Sequence, residues 1–196
     1  MGKDKQVLKA ILKDARNEEW QAKYTNTLPL ADWYKKEYND VGWQAGVGAF
    51  GSADMSHVKT GWSQGDIWIR RKFSIDHKNV IKKKLYLIYS HDDIFELYLN
   101  GQMLVNTGYK WRNYVVQPLD AEQVKSLTSE DNLITAHCHN TMGGAYVDFC
   151  GGERTARADV AGGLALAVKL ESLAMGHRHR RRTCAERICC FFGVCA

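Results

Sequence analysis

Residues 84–105 read KLYLIYSHDDIFELYLNGQMLV, and this stretch decides the fold. It holds three apolar runs, Lys84–Tyr89, Ile94–Leu99 and Gln102–Val105, each with the length and composition typical of a strand. The dipeptide Asn100-Gly101 separates the last two runs. Asn-Gly favours a type I′ turn because both central positions of that turn need positive φ. The stretch therefore predicts antiparallel strands joined by a tight hairpin.

Strand patterns continue on both sides of this stretch. Glu19–Tyr24 predicts a first strand, Asp66–Phe73 alternates as a half-buried strand does, and Asn132–His139 is the last clear strand, with a partner in Ala145–Phe149. The chain contains no internal repeat and only two prolines. Several short strands at spacings of roughly ten residues favour an antiparallel sandwich over alternating strands and helices.

Two short helices interrupt this pattern. Segment 4–17 carries apolar residues at helical spacing with charged residues between them, which predicts an N-terminal amphipathic helix. The segment Asp120–Leu127 predicts a surface helix, with Asp120 as its N-cap and Gln123 at the capping-box position. The apolar stripe of the N-terminal helix consists of Val7, Leu8, Ile11, Leu12 and Ala15.

The composition changes after Gly151, where the sequence becomes rich in Gly and Ala, then in Arg and His, then in Cys. We therefore divide the chain into an N-terminal helix (1–18), a β-sandwich (19–150) and an irregular tail (151–196). The tail cysteines could form disulfides, or they could bind zinc, although their spacing does not match paired C-x₂-C ligands. Alternatively, the tail is not a native part of the domain. These cysteines are Cys184, Cys189, Cys190 and Cys195.

Most of the net charge of +5 comes from the tail. Residues 1–173 carry 22 basic and 21 acidic side chains, whereas the remainder holds five arginines against one glutamate. A near-neutral body argues against a nucleic-acid surface, and the sequence has no apolar run of the length that a membrane-spanning helix requires. No secretion signal is visible at the start, which leaves a cytoplasmic protein or a piece of an exported precursor as alternatives.

An ordered series of short motifs between Trp20 and Asp148 carries a family resemblance. The series is Trp20-x-x-x-Tyr24, Asp32-Trp33-Tyr34, Asn39-Asp40-Val41-Gly42-Trp43, Ala49-Phe50-Gly51, Thr60-Gly61-Trp62, Asp66-Ile67-Trp68-Ile69-Arg70-Arg71-Lys72-Phe73, His91-Asp92-Asp93, Tyr98-Leu99-Asn100-Gly101 and His137-Cys138-His139-Asn140. It resembles the galactose-binding-like domains attached to glycoside hydrolases of the β-galactosidase and β-glucuronidase family and found in related secreted bacterial proteins. The resemblance implies an all-β, antiparallel jelly-roll sandwich, a secreted or periplasmic parent protein, and sugar contacts through loops at one end.

Sugar rings present apolar C–H faces and a rim of hydroxyls, so their sites combine an exposed aromatic ring with polar side chains. The segment Gly108–Tyr114 is predicted to be a loop with this mixture, and packing over the end of the sandwich is the alternative. Other end positions are predicted to contribute, although the core is the favoured place for Trp62. The predicted ligand-binding residues are Tyr109, Trp111, Arg112, Trp62, Asp66, Asp92 and Asn140.

Metal binding and catalysis are the competing uses of the polar residues. His91-Asp92-Asp93 follows a strand and could bind calcium, although capping a turn is the commoner role. His137 and His139 share one strand face and could bind a metal with a third group, but structural hydrogen bonding is favoured. No pair of carboxyl groups stands out for glycoside hydrolysis.

The sequence therefore predicts a non-catalytic carbohydrate-binding module of a glycan-processing protein, with carbohydrate and a neighbouring catalytic domain as partners. We expect no metal site and no cofactor, with calcium the one candidate ion. Two alternatives stay open. The domain could shape the substrate site of a glycoside hydrolase, or it could be a purely structural sandwich between domains.

Overall fold

The computed structural model describes residues 7–80 and 83–155. The tail cysteines and the first three residues of the predicted N-terminal helix lie outside the described residues. Two helical turns, α1 (His77–Val80) and α2 (Ala121–Lys125), accompany the strands. The strands are β1 (Val7–Leu12), β2 (Trp20–Thr25), β3 (Gln44–Gly48), β4 (Phe50–Gly51), β5 (Thr60–Gly61), β6 (Gly65–Phe73), β7 (Leu85–Asp92), β8 (Ile94–Leu99), β9 (Gln102–Tyr109), β10 (Arg112–Pro118), β11 (Asn132–Asn140) and β12 (Tyr146–Thr155).

The strands form two six-stranded sheets. The first sheet has the order β10, β7, β12, β4 and β5, with β1 also paired to β12. The second has the order β3, β2, β6, β11, β8 and β9. Neighbouring strands are antiparallel, and the short pair β4 and β5 is the parallel exception among the described strands. The predicted all-β sandwich is thus confirmed at the level of two antiparallel sheets.

One apolar core fills the space between the sheets. Phe50 and Phe149 from the first sheet and Phe95 from the second are each 0% exposed. The Trp20 indole lies in this core and packs on Gly48 of the neighbouring strand. A Cβ at position 48 would come within 1.9 Å of the ring, so only glycine fits there. Burial of such large side chains supplies most of the stability of a sandwich.

The predicted hairpin joins β8 to β9. Asn100 and Gly101 have φ values of 48° and 85°, which is the left-handed pair that the turn requires. The Asn100 side chain also accepts a hydrogen bond from the Leu133 amide at 2.8 Å and donates to the Ser126 carbonyl at 2.8 Å. The turn is therefore fixed to the neighbouring strand and to the end of α2. The capping box of α2 forms as predicted between Asp120 and Gln123.

The prediction of an N-terminal helix over residues 4–17 is wrong for its described part, because Val7–Leu12 is strand β1. The pairing of β1 with β12 shifts register between Ala10 and Leu12, and both Ile11 and Leu12 pack against the core. A bulge lets two consecutive apolar residues face inward. The resulting apolar spacing imitates that of an amphipathic helix.

Two further segments differ from the sequence expectation. The predicted loop Gly108–Tyr114 is mostly strand, since β9 ends at Tyr109, β10 begins at Arg112, and only residues 110–111 lie between them. Strand β12 continues to Thr155, beyond the boundary placed after Gly151. Among the described residues, no helix has the length and apolar character needed to cross a membrane.

Candidate functional site

Strand ends from both sheets meet at one end of the sandwich and bring together residues that are distant in sequence. Asp66 lies near the start of β6, Asp92 ends β7, Tyr109 ends β9, Arg112 begins β10 and Asn140 ends β11. The strand registers link these positions, because His139 pairs with both Asp66 and Ile94, and Ile94 pairs in turn with Tyr109. The residues predicted for ligand binding therefore share one end of the fold.

Two aromatic side chains are exposed at this end. Tyr109 is 63% exposed and Trp111 is 59% exposed, although both are large apolar groups. Trp111 lies in the two-residue crossing from one sheet to the other, and the Tyr109 hydroxyl is 3.3 Å from the Thr141 hydroxyl. Strands on both sides hold the Trp111 backbone, so its ring is presented to solvent from a short, anchored connection.

The Asp92-Asp93 turn lies beneath this crossing. The Asp93 carboxylate accepts hydrogen bonds from the Thr141 amide at 3.0 Å and the Thr141 hydroxyl at 2.6 Å, and the Lys110 amide donates to the Asp93 carbonyl at 3.4 Å. Burial opposes ionisation of Asp93, but the Thr141 bonds outweigh it and lower the pKa of that carboxyl. Burial, reinforced by a hydrogen bond to Asp93, raises the pKa of Asp92 to about 6.

Asp66 is engaged by two histidines. Its Oδ1 atom lies 2.8 Å from His137 Nε2 and 3.0 Å from His139 Nδ1, and His137 stacks on Trp68 with ring centroids 4.8 Å apart. Burial disfavours the charged carboxylate, yet the histidine hydrogen bonds hold the pKa of Asp66 below its ordinary value. Within residues 7–80 and 83–155, no set of three His, Cys, Asp or Glu side chains is arranged to hold a metal ion.

Trp62, Asn140 and His91 are buried at this end. Trp62 is 6% exposed and belongs to the core, so its ring does not face solvent. Asn140 is 1% exposed and donates to the Ser63 carbonyl at 2.6 Å, which fixes the loop before β6. His91 is 0% exposed, and desolvation lowers its pKa to about 4. The predicted ligand residues Trp62 and Asn140 thus lie behind the surface that Trp111 presents.

A cleft of about 430 Å³ opens beside Trp111, and sequence reasoning missed it. Its walls come from the β1–β2 connection, the 54–57 segment and the strands β7, β10 and β12. No local motif marks such a cleft, because its residues come from separate parts of the chain and meet only through the strand registers. The lining residues besides Trp111 are Arg16, Asp54, Met55, Ser56, His57, Ser90, Asn113, Tyr114 and Tyr146.

Asp148 supports this cleft from behind. It is 0% exposed and accepts hydrogen bonds from the Trp20 indole at 2.9 Å, the Ala15 amide at 3.0 Å and the Tyr114 hydroxyl at 2.8 Å. The Tyr114 and Tyr146 hydroxyls are 2.8 Å apart. Burial raises the pKa of Asp148 despite these donors. The network fixes both tyrosines in place, so the cleft is preorganised.

Arg16 lines the cleft, and the Asp14 carboxylate balances its positive charge. Its Nε and Nη2 atoms donate to Asp14 at 3.1 and 2.7 Å, and its guanidinium lies 3.4 Å from the centroid of the Tyr114 ring. Burial opposes the charged form of Asp14, but the hydrogen bonds from Arg16 and other donors lower its pKa, so the carboxylate stays ionised.

Comparisons with known proteins identify the fold. No family model and no curated protein matches the sequence. A glycosyl hydrolase family 2 member from Bacteroides cellulosilyticus matches 70% of this chain with a TM-score of 0.51 and 15% identity. A β-glucuronidase of glycoside hydrolase family 2 matches 78% of the chain, also with a TM-score of 0.51 and 15% identity.

The chain spans only 20% and 18% of the lengths of those two enzymes. The likeness therefore concerns one domain-sized part of each enzyme, and it shows that this sandwich fold also occurs in glycoside hydrolases.

Proposed function

We propose that the chain is a non-catalytic carbohydrate-binding accessory module of a glycan-processing protein of the glycoside hydrolase type. The observation that carries this proposal is the exposed ring of Trp111 on a short, anchored connection at the loop end of the sandwich. An aromatic plate with hydrogen-bonding groups around it suits a sugar, whose C–H face packs on the ring while its hydroxyls bond at the rim.

The geometry around Trp111 favours binding. The next residue, Arg112, is held by pairing with His91 and by the Ser90 hydroxyl, which donates to the Arg112 carbonyl at 3.2 Å. Tyr109 adds a second exposed ring on the other side of the same crossing. Because the supporting backbone is fixed before a ligand arrives, little conformational entropy is lost on binding.

Three acidic side chains at this end, Asp66, Asp93 and Asp148, are engaged within the fold. Glycoside hydrolysis needs one carboxyl group as acid and another as nucleophile or base, both facing the scissile bond. Asp66 is engaged by His137 and His139, and Asp93 by Thr141. Asp148 is fully buried beneath the cleft. These carboxyl groups therefore act within the fold.

A glycan array followed by calorimetric titration of the best ligands tests the proposal. We expect the chain to bind at least one glycan and Trp111→Ala to weaken that binding by at least about tenfold, the loss expected for a stacked aromatic ring. Met103→Ala is the matched control, because Met103 is 50% exposed on β9, next to the Asn100-Gly101 turn. We expect it to bind like wild type.

The outcome that contradicts the proposal is a folded preparation that binds no glycan on the array. Turnover of chromogenic glycosides by the chain alone would instead identify a catalytic fragment. Stable association with another protein, together with no glycan binding, would identify a structural interdomain sandwich.

A further inference from the structure

We propose that the cleft beside Trp111 receives an uncharged sugar unit and discriminates against uronic acids. This inference rests on the proposed function and specifies the ligand of the same site. It follows from the direction of the hydrogen bonds in the cleft and from the charges around it.

The hydroxyl protons at the base of the cleft are already committed. Tyr114 donates its only hydroxyl proton to Asp148 at 2.8 Å. The 2.8 Å bond between the two tyrosine hydroxyls must then be donated by Tyr146. The Tyr146 oxygen therefore offers only lone pairs to a ligand, and the ligand has to supply the proton.

The Ser90 hydroxyl likewise presents only lone pairs to a ligand. It donates to the Arg112 carbonyl at 3.2 Å, so its free lone pairs also accept. Two of the cleft's hydroxyl groups thus call for a ligand that donates hydrogen bonds. A sugar hydroxyl can donate, whereas a carboxylate only accepts and would leave these oxygens facing its own lone pairs.

The charged side chains around the cleft also disfavour a uronate. Arg16 lines the cleft, and Asp14 already holds two of its nitrogen atoms at 3.1 and 2.7 Å. Asp54 adds a carboxylate at the rim, and within residues 7–80 and 83–155 no lysine lines the cleft. Arg112, next to Trp111, is not among the lining residues, and its guanidinium donates to the Trp111 carbonyl at 3.3 Å. A uronate would therefore enter a cleft whose described lining carries no net positive charge, and it would lose hydration without a free cation to pair with there. An uncharged sugar loses less hydration free energy on entering the cleft.

Two matched pairs of ligands test the inference. The pairs are methyl β-galactoside with methyl β-galacturonide, and methyl β-glucoside with methyl β-glucuronide. Each pair differs only in carrying a hydroxymethyl group or a carboxylate. We expect, by NMR titration at pH 7, that the neutral member of the preferred pair binds at least about tenfold more tightly. Equal or tighter binding of the uronide overturns the inference.

Variants locate the discrimination in the cleft. Tyr146→Phe removes one acceptor, and Ser90→Ala removes the other while leaving the tyrosine network intact. We expect each to weaken binding of the neutral glycoside by roughly fivefold or more, the loss typical of one hydrogen bond. Thermal melting shows which variants are folded, and Met103→Ala serves as the unchanged control.

The failures of the two proposals are distinguishable. If Trp111→Ala abolishes glycan binding while folded Tyr146→Phe and Ser90→Ala bind like wild type, the binding module stands and the cleft assignment is wrong. If no glycan binds at all, both proposals are wrong.

Discussion

Replacement of Asp92 by asparagine should stabilise the protein at neutral pH. The carboxyl of Asp92 is partly buried and hydrogen-bonded to Asp93, and its pKa is raised from 3.8 to about 6. At pH 7 and above the fold therefore holds a carboxylate in a place that favours the neutral acid. An asparagine amide can donate to Asp93 as the protonated acid does, and it carries no charge at any pH.

The magnitude follows from the pKa. A change from 3.8 to about 6 corresponds to about 3 kcal/mol between the two protonation states. Partial exposure of Asp92 screens the interaction, so we expect Asp92→Asn to raise the free energy of unfolding by about 1–2 kcal/mol at pH 8. For a chain of this length that is an increase of about 2–8 °C in Tm.

The raised pKa of Asp92 determines how its contribution to stability changes with pH. Because the folded pKa of Asp92 is raised, the wild-type carboxyl contributes stability that is fully present below pH 3.8 and is lost as the pH rises through about 6. His91 has the opposite slope, since its pKa is lowered to about 4 and its contribution is lost as the pH falls below 6.5. The informative quantity is therefore the difference in Tm between Asp92→Asn and wild type, from which the His91 effect cancels.

Differential scanning fluorimetry between pH 4 and 8 measures this difference. We expect it to be near zero or negative at pH 4 and to grow with pH, reaching its full value above pH 7. Asp93→Asn is the contrasting control, because the Asp93 carboxylate accepts two hydrogen bonds from Thr141 and its pKa is lowered. That variant should melt below wild type at pH 8. A Tm for Asp92→Asn at or below wild type at pH 8 would refute the reasoning.

Three other predictions concern the interior and the central hairpin. Because desolvation lowers the pKa of buried His91 to about 4, its ring should stay neutral at pH 5.5 in NMR spectra, and titration near 6.5 would contradict this. Asn100→Ala should cost about 1–3 kcal/mol in chemical denaturation, because it removes the acceptor of the Leu133 amide and the side chain suited to positive φ. Burial raises the pKa of the Cys138 and Cys150 thiols, so peptide mapping should show that iodoacetamide labels them only after unfolding.

The sandwich could be predicted because its central strands carry local signals. Strand β8, the Asn100-Gly101 turn and the start of β9 follow from alternation and turn chemistry, and these interactions act within a few residues. Strand β1 could not be predicted in this way. Its apolar residues gain their environment from pairing with β12, about 140 residues later, and the bulge at Ile11 gives them a helical spacing. A tertiary contact thus overrode the local pattern.

The candidate site shows the same division. The exposure of Trp111 could be anticipated, because the ring stands between Lys110 and Arg112 in the sequence. The sequence favoured the core for Trp62 over an end loop, and the ring is buried, although the sequence does not reveal which face of a short segment turns inward. Arg16, Ser90 and Tyr146 meet in the cleft only after β7, β10 and β12 have paired, so their combination has no signature along the chain.

The pairing of β1 with β12 also makes the sandwich suitable for insertion into another protein. Val7 lies opposite Thr155 in the antiparallel register, so the first and last described residues are neighbours. Such a unit can be placed in a surface loop of a host protein without pulling the host's two ends apart, and a short linker suffices for circular permutation. Asp148 of β12 also accepts a hydrogen bond from the Ala15 amide, which ties the β1–β2 connection to β12 and supports the paired ends.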